Sequence, residues 1–381
     1  MNFDWTDDEK LLRQSAFGFA TRELSDGVVE RDREGAFSRG LWDACADYGL
    51  QGLMVPAAYG GGGHDLVTAV SILEAVGRGA LDNGLVFAVT AHAASCAGPI
   101  VDYGSDEQRA RWLQGLAAGS IVGATGITEP DSGSNALGLG TTATRRGDDW
   151  ILDGGKTFVT NAPIADLFLI YARTGSSGFA ALTCFLVPAD ADGLDVGPSI
   201  EKMGLRTSPM AQVFLDGCRV PASAVLGGVG SGAMVFNQTM DLERLLVMAP
   251  AVGAMERVLQ RCVTHAKERS TGSGPIGSNQ AISHAIADME LDLDAARLLL
   301  HRAAWHRMHH GTATRESALA KLAVSEAYVR SCRRAVQIFG GYGYMTEYEL
   351  ERELRDALAT TLYVGTSEIQ RNLIAGLRGL G

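Results

Sequence analysis

The chain lacks the signatures of the commonest nucleotide and hydrolase sites. No G-x-G-x-x-G opens a helix after a strand, and no P-loop is present. H-E-x-x-H and G-x-S-x-G are also missing, which sets aside zincin and α/β-hydrolase chemistry. Six cysteines in 381 residues are scattered without a C-x-x-C pair, so neither a zinc ribbon nor a thioredoxin-type centre is supported. Thiols used this way suit a reducing cytosol. Basic residues are in deficit, 33 against 44 acidic, and offer no broad face for nucleic acid. The longest apolar stretches, such as LFLIYA, are shorter than the roughly 20 residues that span a bilayer. The opening MNFDWTDDEK is acidic where a signal peptide is basic and then apolar. A cytoplasmic protein with no nucleic-acid or membrane partner is the expectation.

What is present falls into three stretches. Residues 1–120 carry helical periodicity. Thr6 and Glu9 form a capping-box pattern, and SDEQRARWLQGLAAGS begins on Ser105 and ends on Gly119. Residues 121–230 are short runs of β-formers, with LDGG at 152–155 reading as a hairpin turn. Residues 231–381 return to longer helices, and Pro250 predicts a kink in the first of them. In the second, Leu291, Leu298 and Leu299 stand among the apolar positions. The fold class is α+β: an N-terminal helical domain, a middle β-barrel or sandwich, and a C-terminal four-helix bundle. Helices segregated from strands argue against a βαβ nucleotide fold.

His301, His306, His309 and His310 cluster, with His306 and His310 four apart on one helix. No third ligand is evident, so the reading is a solvated helix face with no metal. GITEPDSGSN (126–135) is a loop whose amides and hydroxyls suit a polar ring or a phosphate, though an ordinary turn has the same composition. In KTFVTNAP, Phe158 and Thr160 are two apart and would share a strand face, as stacking on a flat cofactor requires. QIFGGYGY closes a helix on glycines.

Taken in order, ITEPDSGSN, KTFVTNA, KMGLRTSPMAQVFLDGCRVP, MDLERLL, QIFGGYGYMTEYELERELRDA and YVGTSEIQRN resemble the acyl-CoA dehydrogenase family. VPAAYGGGGHD and YGSDEQRARWL extend the likeness over nearly the whole chain. The resemblance implies FAD held between β-domain and bundle, completed by a neighbouring subunit of a homotetramer. It implies that Ile127, Thr128, Ser134, Phe158, Val159, Thr160, Thr366 and Glu368 contact the flavin side of FAD. Ser134 also borders the acyl pantetheine. Arg269, Gln280, Gln337, Gly340 and Gly341 would reach the FAD of the partner subunit. Two departures stand out: Gly272 and Ser273 replace an aromatic and its neighbour after Arg269, and Asn135 replaces a common aspartate.

The family's chemistry removes a proton α to a thioester carbonyl while hydride leaves the β-carbon for flavin. A carboxylate must reach that proton, and hydrogen bonds must polarise the thioester oxygen. Most members carry the carboxylate where this chain has Val364. The isovaleryl-CoA dehydrogenase branch carries it in an LDLER-like helix segment, and its loop residue is small. Here Glu243 lies in MDLERLL beside Val364 in the loop, so Glu243 is the expected base. Asp241, Arg244, Val364 and Gly365 are the expected substrate contacts. The resemblance leaves acyl-CoA and acyl-carrier protein both open as substrate. It implies electron-transfer flavoprotein as acceptor, with oxygen as alternative. RSCRRA (330–335) is a weak docking patch for an acidic carrier. A flavin monooxygenase, a carrier-protein aminoacyl oxidase and a non-catalytic scaffold are the competing functions.

Overall fold

The computed structural model describes residues 4–175, 178–272 and 274–380. The first stretch is helical: α1 (Asp7–Glu23), α2 (Val28–Glu34), α3 (Arg39–Tyr48), α4 (Leu66–Gly79), α5 (Asn83–Ala91), α6 (Gly98–Tyr103) and α7 (Asp106–Ala117). The expected capping box forms between Thr6 and Glu9, and the helix expected to start at Ser105 does so with a second box that Gln108 completes. A π-helical segment, His92–Ala97, joins α5 to α6 in one run. That run corrects the reading of LFLIYA as typical of the longest apolar stretches. Asn83–Tyr103 is long and apolar enough to cross a bilayer by length and composition, but 78% of its most apolar window is buried inside the protein. It is a core helix.

The strands are β1 (Gly123–Gly126), β2 (Thr142–Arg146), β3 (Asp149–Thr160), β4 (Leu167–Arg173), β5 (Leu182–Pro188), β6 (Leu194–Val196), β7 (Met210–Pro221) and β8 (Val225–Leu226). They form one sheet in the order β6-β7-β3-β2-β4-β5-β8, with β1 paired in parallel to β4. β4 shows why its sequence is almost continuously apolar. Phe168, Ile170 and Ala172 join the sheet's inner core, while Leu167, Leu169 and Tyr171 pack with Ile100, Leu113 and Leu116 of the helical side. A strand covered on both faces has no polar side to alternate. LDGG is not a turn. β3 runs straight through it, and its register against β7 slips between Leu152 and Gly154. A Cβ on Gly154 would come within 2.5 Å of Thr141 Oγ1, so the glycine serves a close approach inside a bulge. The β2–β3 connection turns at Gly147, with φ 64°.

α8 (Gly232–Glu268), α9 (Gln280–His310), α10 (Thr314–Phe339), α11 (Leu350–Thr360) and α12 (Ser367–Gly376) complete the chain. α8 is one helix of 37 residues and runs unbroken across Pro250. On α9, Leu291 and Leu298 are exposed rather than packed.

A buried polar cluster ties the helical ends to the sheet. Arg257 of α8 donates to Glu353 of α11 (2.8 Å), to Asn83 Oδ1 (3.0 Å) and to the carbonyls of Gly77 and Ala80. Asn83 Nδ2 donates onward to Glu353 (3.1 Å) and Asp356 (3.0 Å). Asp356 accepts the Leu205 amide beyond β6 (2.6 Å), and Tyr328 of α10 donates to Glu353 (2.9 Å). Burial pushes the Glu353 carboxyl up, but Arg257 and Arg352 outweigh it and hold it at about 2. Replacing Arg257 by Met strands that carboxylate out of water. We expect Arg257→Met to lose roughly 3–5 kcal/mol of unfolding free energy, read from urea denaturation.

Candidate active site

The site is built where α8, α5 and the loop between α11 and α12 meet. Glu243 sits in the first half of α8, half-buried, with Leu242, Leu245, Leu246 and Val247 buried around it. Among the described residues no side chain or amide hydrogen-bonds its carboxylate. Loss of hydration pushes the Glu243 carboxyl up to about 7, against a downward pull from Arg244. A carboxyl held near neutrality and unpaired has the properties of a general base.

Arg244 ties this turn of helix to the terminal loop, donating to the Val364 carbonyl (3.4 Å). Gln370 Nε2 holds the same loop from α12, at 3.1 Å from the Val364 carbonyl and 2.9 Å from that of Gly365. These clamps hold Val364 at φ 48° and Gly365 at φ 89°. A β-branched residue in the left-handed region is strained, and such strain persists only where neighbours fix it. Among the described residues the Val364 N–H meets no acceptor, so it is free to donate to a ligand. Thr366 caps α12, accepting from the Ile369 amide (3.3 Å). Glu368 follows it, exposed.

Asp241 departs from expectation. It is buried and accepts from Arg244 (3.2 Å), Ser317 (3.1 Å), the Ala313 amide (3.2 Å) and Thr314 (2.9 Å). Its acceptor capacity is spent on anchoring the start of α10, which places it behind the substrate region.

On the sheet side, the 126–135 loop and the end of β3 are bound together by a pair that sequence reading missed. Lys156, 1% exposed, donates to Glu129 at 2.6 Å, and Glu129 also accepts from Thr141 and the Gly140 amide. Burial raises the Glu129 carboxyl, yet the bonds from Lys156, Thr141 and Gly140 hold it at about 2. The Thr157 amide donates to the Thr128 carbonyl (2.8 Å), which closes the loop onto the strand. The signal available in the sequence was a lysine at an inward position of an otherwise apolar strand face.

The simple alternation expected for Phe158 and Thr160 is broken. β3 slips against β7 between Lys156 and Val159, and Phe158 takes φ 55°. Its ring is 62% exposed, and Thr160 is half-buried. Val159 points into the β core, so only its backbone is left for a ligand. Ile127 and Thr128 are half-buried and Ser134 is exposed. A presented aromatic face beside hydroxyls and loop amides fits a flat, polar ring such as the flavin of FAD. Cβ atoms on Gly133, Gly340 and Gly341 would meet nothing within 4 Å, which leaves the backbone open to close approach there. This sheet edge reaches α5 through Asn161, which donates to the Ala88 carbonyl (2.9 Å). The neighbouring Phe87 packs on Tyr363 of the terminal loop at 4.6 Å between ring centroids.

Arg269, Gln280, Gln337, Gly340 and Gly341 are exposed and form a separate group, with Arg269 over the Tyr342 ring at 5.4 Å. The 25 helical steps of α8 from Glu243 to Glu268 span roughly 38 Å, so this group lies far from Glu243 along the helix. Gly272 is exposed, and Ser273 lies outside the described residues. Asn135 is exposed.

His301 is not part of a solvated face. It pairs with buried Glu74 at 2.8 Å, beside Arg13 and Arg297. His306 and His310 lie 4.4 Å apart by ring centroid, and no group of three metal-ligating side chains occurs among the described residues. In RSCRRA, Arg330 and Arg334 are neutralised by Asp292 and Asp288 at 2.8 and 2.9 Å.

Family models for acyl-CoA dehydrogenase match the chain three times: the N-terminal domain over residues 6–120, the middle domain over 124–218 and the C-terminal domain over 230–376. The chain belongs to the acyl-CoA dehydrogenase family. An L-prolyl-[peptidyl-carrier protein] dehydrogenase of Pseudomonas fluorescens is 39% identical, covering 98% of this chain and 99% of that one. The mitochondrial short-chain specific acyl-CoA dehydrogenase of Homo sapiens is 36% identical, covering 96% and 89%. Among solved structures, the prolyl acyl carrier protein oxidase AnaB superposes with a TM-score of 0.97 at 39% identity, over 99% of this chain and 100% of that one. PigA, solved with FAD and proline, gives 0.97 at 34% identity over the full length of both. The family's architecture of helical, sheet and helical domains is the one described above, and its members are oxidoreductases.

In this acyl-CoA dehydrogenase fold the Lys156–Glu129 pair is a structural pin. Lys156→Met should cost roughly 3 kcal/mol and expose the 126–140 loop to limited proteolysis well before α8 is cut.

Proposed function

We propose that this protein is a FAD-dependent dehydrogenase that oxidises the α,β-bond of a short or branched acyl thioester, carried on CoA or on a carrier protein. The observation that carries this reading is the pairing of an unpaired Glu243, raised to about 7, with a terminal loop whose Val364 cannot accept a proton. FAD, when bound, supplies the acceptor for the hydride that leaves the β-carbon. The protein's part is to orient the thioester, to polarise its carbonyl and to take the α-proton. The free Val364 N–H is the donor for the thioester oxygen, and it works best in a site closed to water. Glu243 Oε takes the proton, and Arg244 fixes the helix against the loop while this happens.

A short acyl group is supported by the small cavity one turn along α8 from Glu243. It measures about 30 Å³ and is bounded by Phe87, Val247 and Tyr363 among others. Electron-transfer flavoprotein is our proposed acceptor, with oxygen the alternative, and the cytoplasm our proposed compartment, consistent with six free buried cysteines. We take the chain to divide near residues 120 and 230. A homotetramer is supported by the exposed stripe Leu291, Leu298 and Trp305 at seven-residue spacing on α9, which a second copy would cover. It is supported again by the roughly 38 Å of α8 that separate Glu243 from the helix end beside Arg269.

Two measurements test this reading. In anaerobic mixing with a panel of acyl-CoA and acyl-carrier thioesters, one thioester should bleach the flavin of the wild type. Glu243→Gln should bind that thioester and bleach roughly 10²–10⁴ times more slowly. Because the base acts ionised, the wild-type rate should fall as pH drops through about 7. Equal bleaching by both proteins would remove Glu243 from its role. Turnover with NAD(P)H and oxygen but no thioester would favour a monooxygenase. Separately, Leu298→Glu should lower the mass seen by light scattering without unfolding the protein.

A further inference from the structure

The inward face of α10 carries Ser317, Lys321 and Ser325 at four-residue spacing, all fully buried. Ser317 is accounted for: it contacts Asp241 and Arg244. Lys321 is not, because its Nζ is buried without a hydrogen-bond partner. An ammonium out of water with nothing to bind is too costly to be incidental. The charges acting on it are Arg244 from α8, Glu368 and Arg371 from α12, and Glu326 from its own helix.

The face of α12 packed toward α10 has the complementary orphans. Ser367 Oγ and Gln370 Oε1 are buried and unpartnered, with Ser367 3% and Gln370 0% exposed. The other end of the Gln370 amide is committed. Its Nε2 meets two carbonyl oxygens, those of Val364 and Gly365, and only the NH₂ end can do so. The amide oxygen therefore faces away from the loop. Arg244, the first charge acting on Lys321, shares the Val364 carbonyl with Gln370. Helices α10 and α12 pack against each other, so Lys321 on one and Gln370 on the other place unpartnered buried polar atoms on adjoining helices behind the terminal loop.

We propose that Lys321 is a positioning residue: its ammonium, through one internal water, engages the Gln370 amide oxygen and so locks the amide that holds Val364 in its left-handed conformation. For catalysis this rests on the reading that the Val364 N–H polarises the thioester. The consequence for the loop itself does not depend on that reading.

The test is hydrogen exchange of the 361–366 segment in the FAD-loaded enzyme. Lys321→Gln should exchange there at least tenfold faster than wild type, with α9 unchanged, and Lys321→Arg should restore protection. Gln370→Leu should show the same loosening, and the double variant no more than either single. Wild-type exchange in Lys321→Gln, or fully additive effects, would overturn the proposal. If the Lys321 variants do not fold, the wild type alone decides. Burial lowers the Lys321 ammonium to about 8, so intrinsic-rate-corrected protection of 361–366 should fall as pH rises through that value. It should stay flat in Gln370→Leu, and a flat wild-type profile would overturn the proposal. With a thioester substrate, Lys321→Gln should lower kcat about tenfold, leave KM nearly unchanged and keep the pH midpoint set by Glu243. If no thioester turns over, the functional reading fails while the exchange result still judges Lys321.

Discussion

One guanidinium, two carboxylates and one amide, all out of water, decide how the parts of this chain meet. Arg257, Glu353, Asp356 and Asn83 come from α8, α11 and α5, and through the Leu205 amide they reach the sheet. Apolar packing alone would tolerate sliding of one helix past another by part of a turn. A closed set of charge-assisted bonds tolerates none, because each displaced partner leaves another stranded. The cluster fixes α5 against α8, and with it the Phe87–Tyr363 contact and the distance from the sheet edge to Glu243.

With Glu243 as the base we propose, its support comes from a helix and not from a loop. A carboxylate on a loop shares the loop's motion, whereas one on α8 inherits the rigidity of a 37-residue helix buried over much of its length. In that proposal the loop keeps only a backbone task, which would fall to Val364 in a strained conformation. The strain is contained by two outside clamps, Arg244 and Gln370, and it lies at the point where backbone direction matters most.

Local features were legible in the sequence because their physics is local. The capping box at Thr6 needs only residues three apart, and it formed, as did the helix start at Ser105. The order of motifs revealed the family because those motifs are short and contiguous. What escaped depends on partners far away in the chain. Glu74 pairs with His301 across 227 residues, and Glu129 takes Lys156 into the interior across 27. Asp241 carries the same residue type whether it binds substrate or anchors a helix; only the four donors around it tell the difference. LDGG failed for a related reason. Its glycines mark a tight place, but the tightness comes from Thr141, just before β2, and not from a change of direction.

The π-helical segment between α5 and α6 has a role as a socket. Widening one turn of helix opens a seat, and β1 occupies it: the Gly123 amide donates to His92 Nδ1 (2.9 Å), and Thr125 donates to the Ser95 carbonyl (2.7 Å). At the bottom of the seat a Cβ on Gly123 would come within 2.4 Å of Cys96 Sγ. The sheet is therefore keyed into the helical half at a point with no clearance for one methyl group. Drift in evolution can rewrite the loops at the sheet's far edge freely, but this joint admits no added side-chain atom.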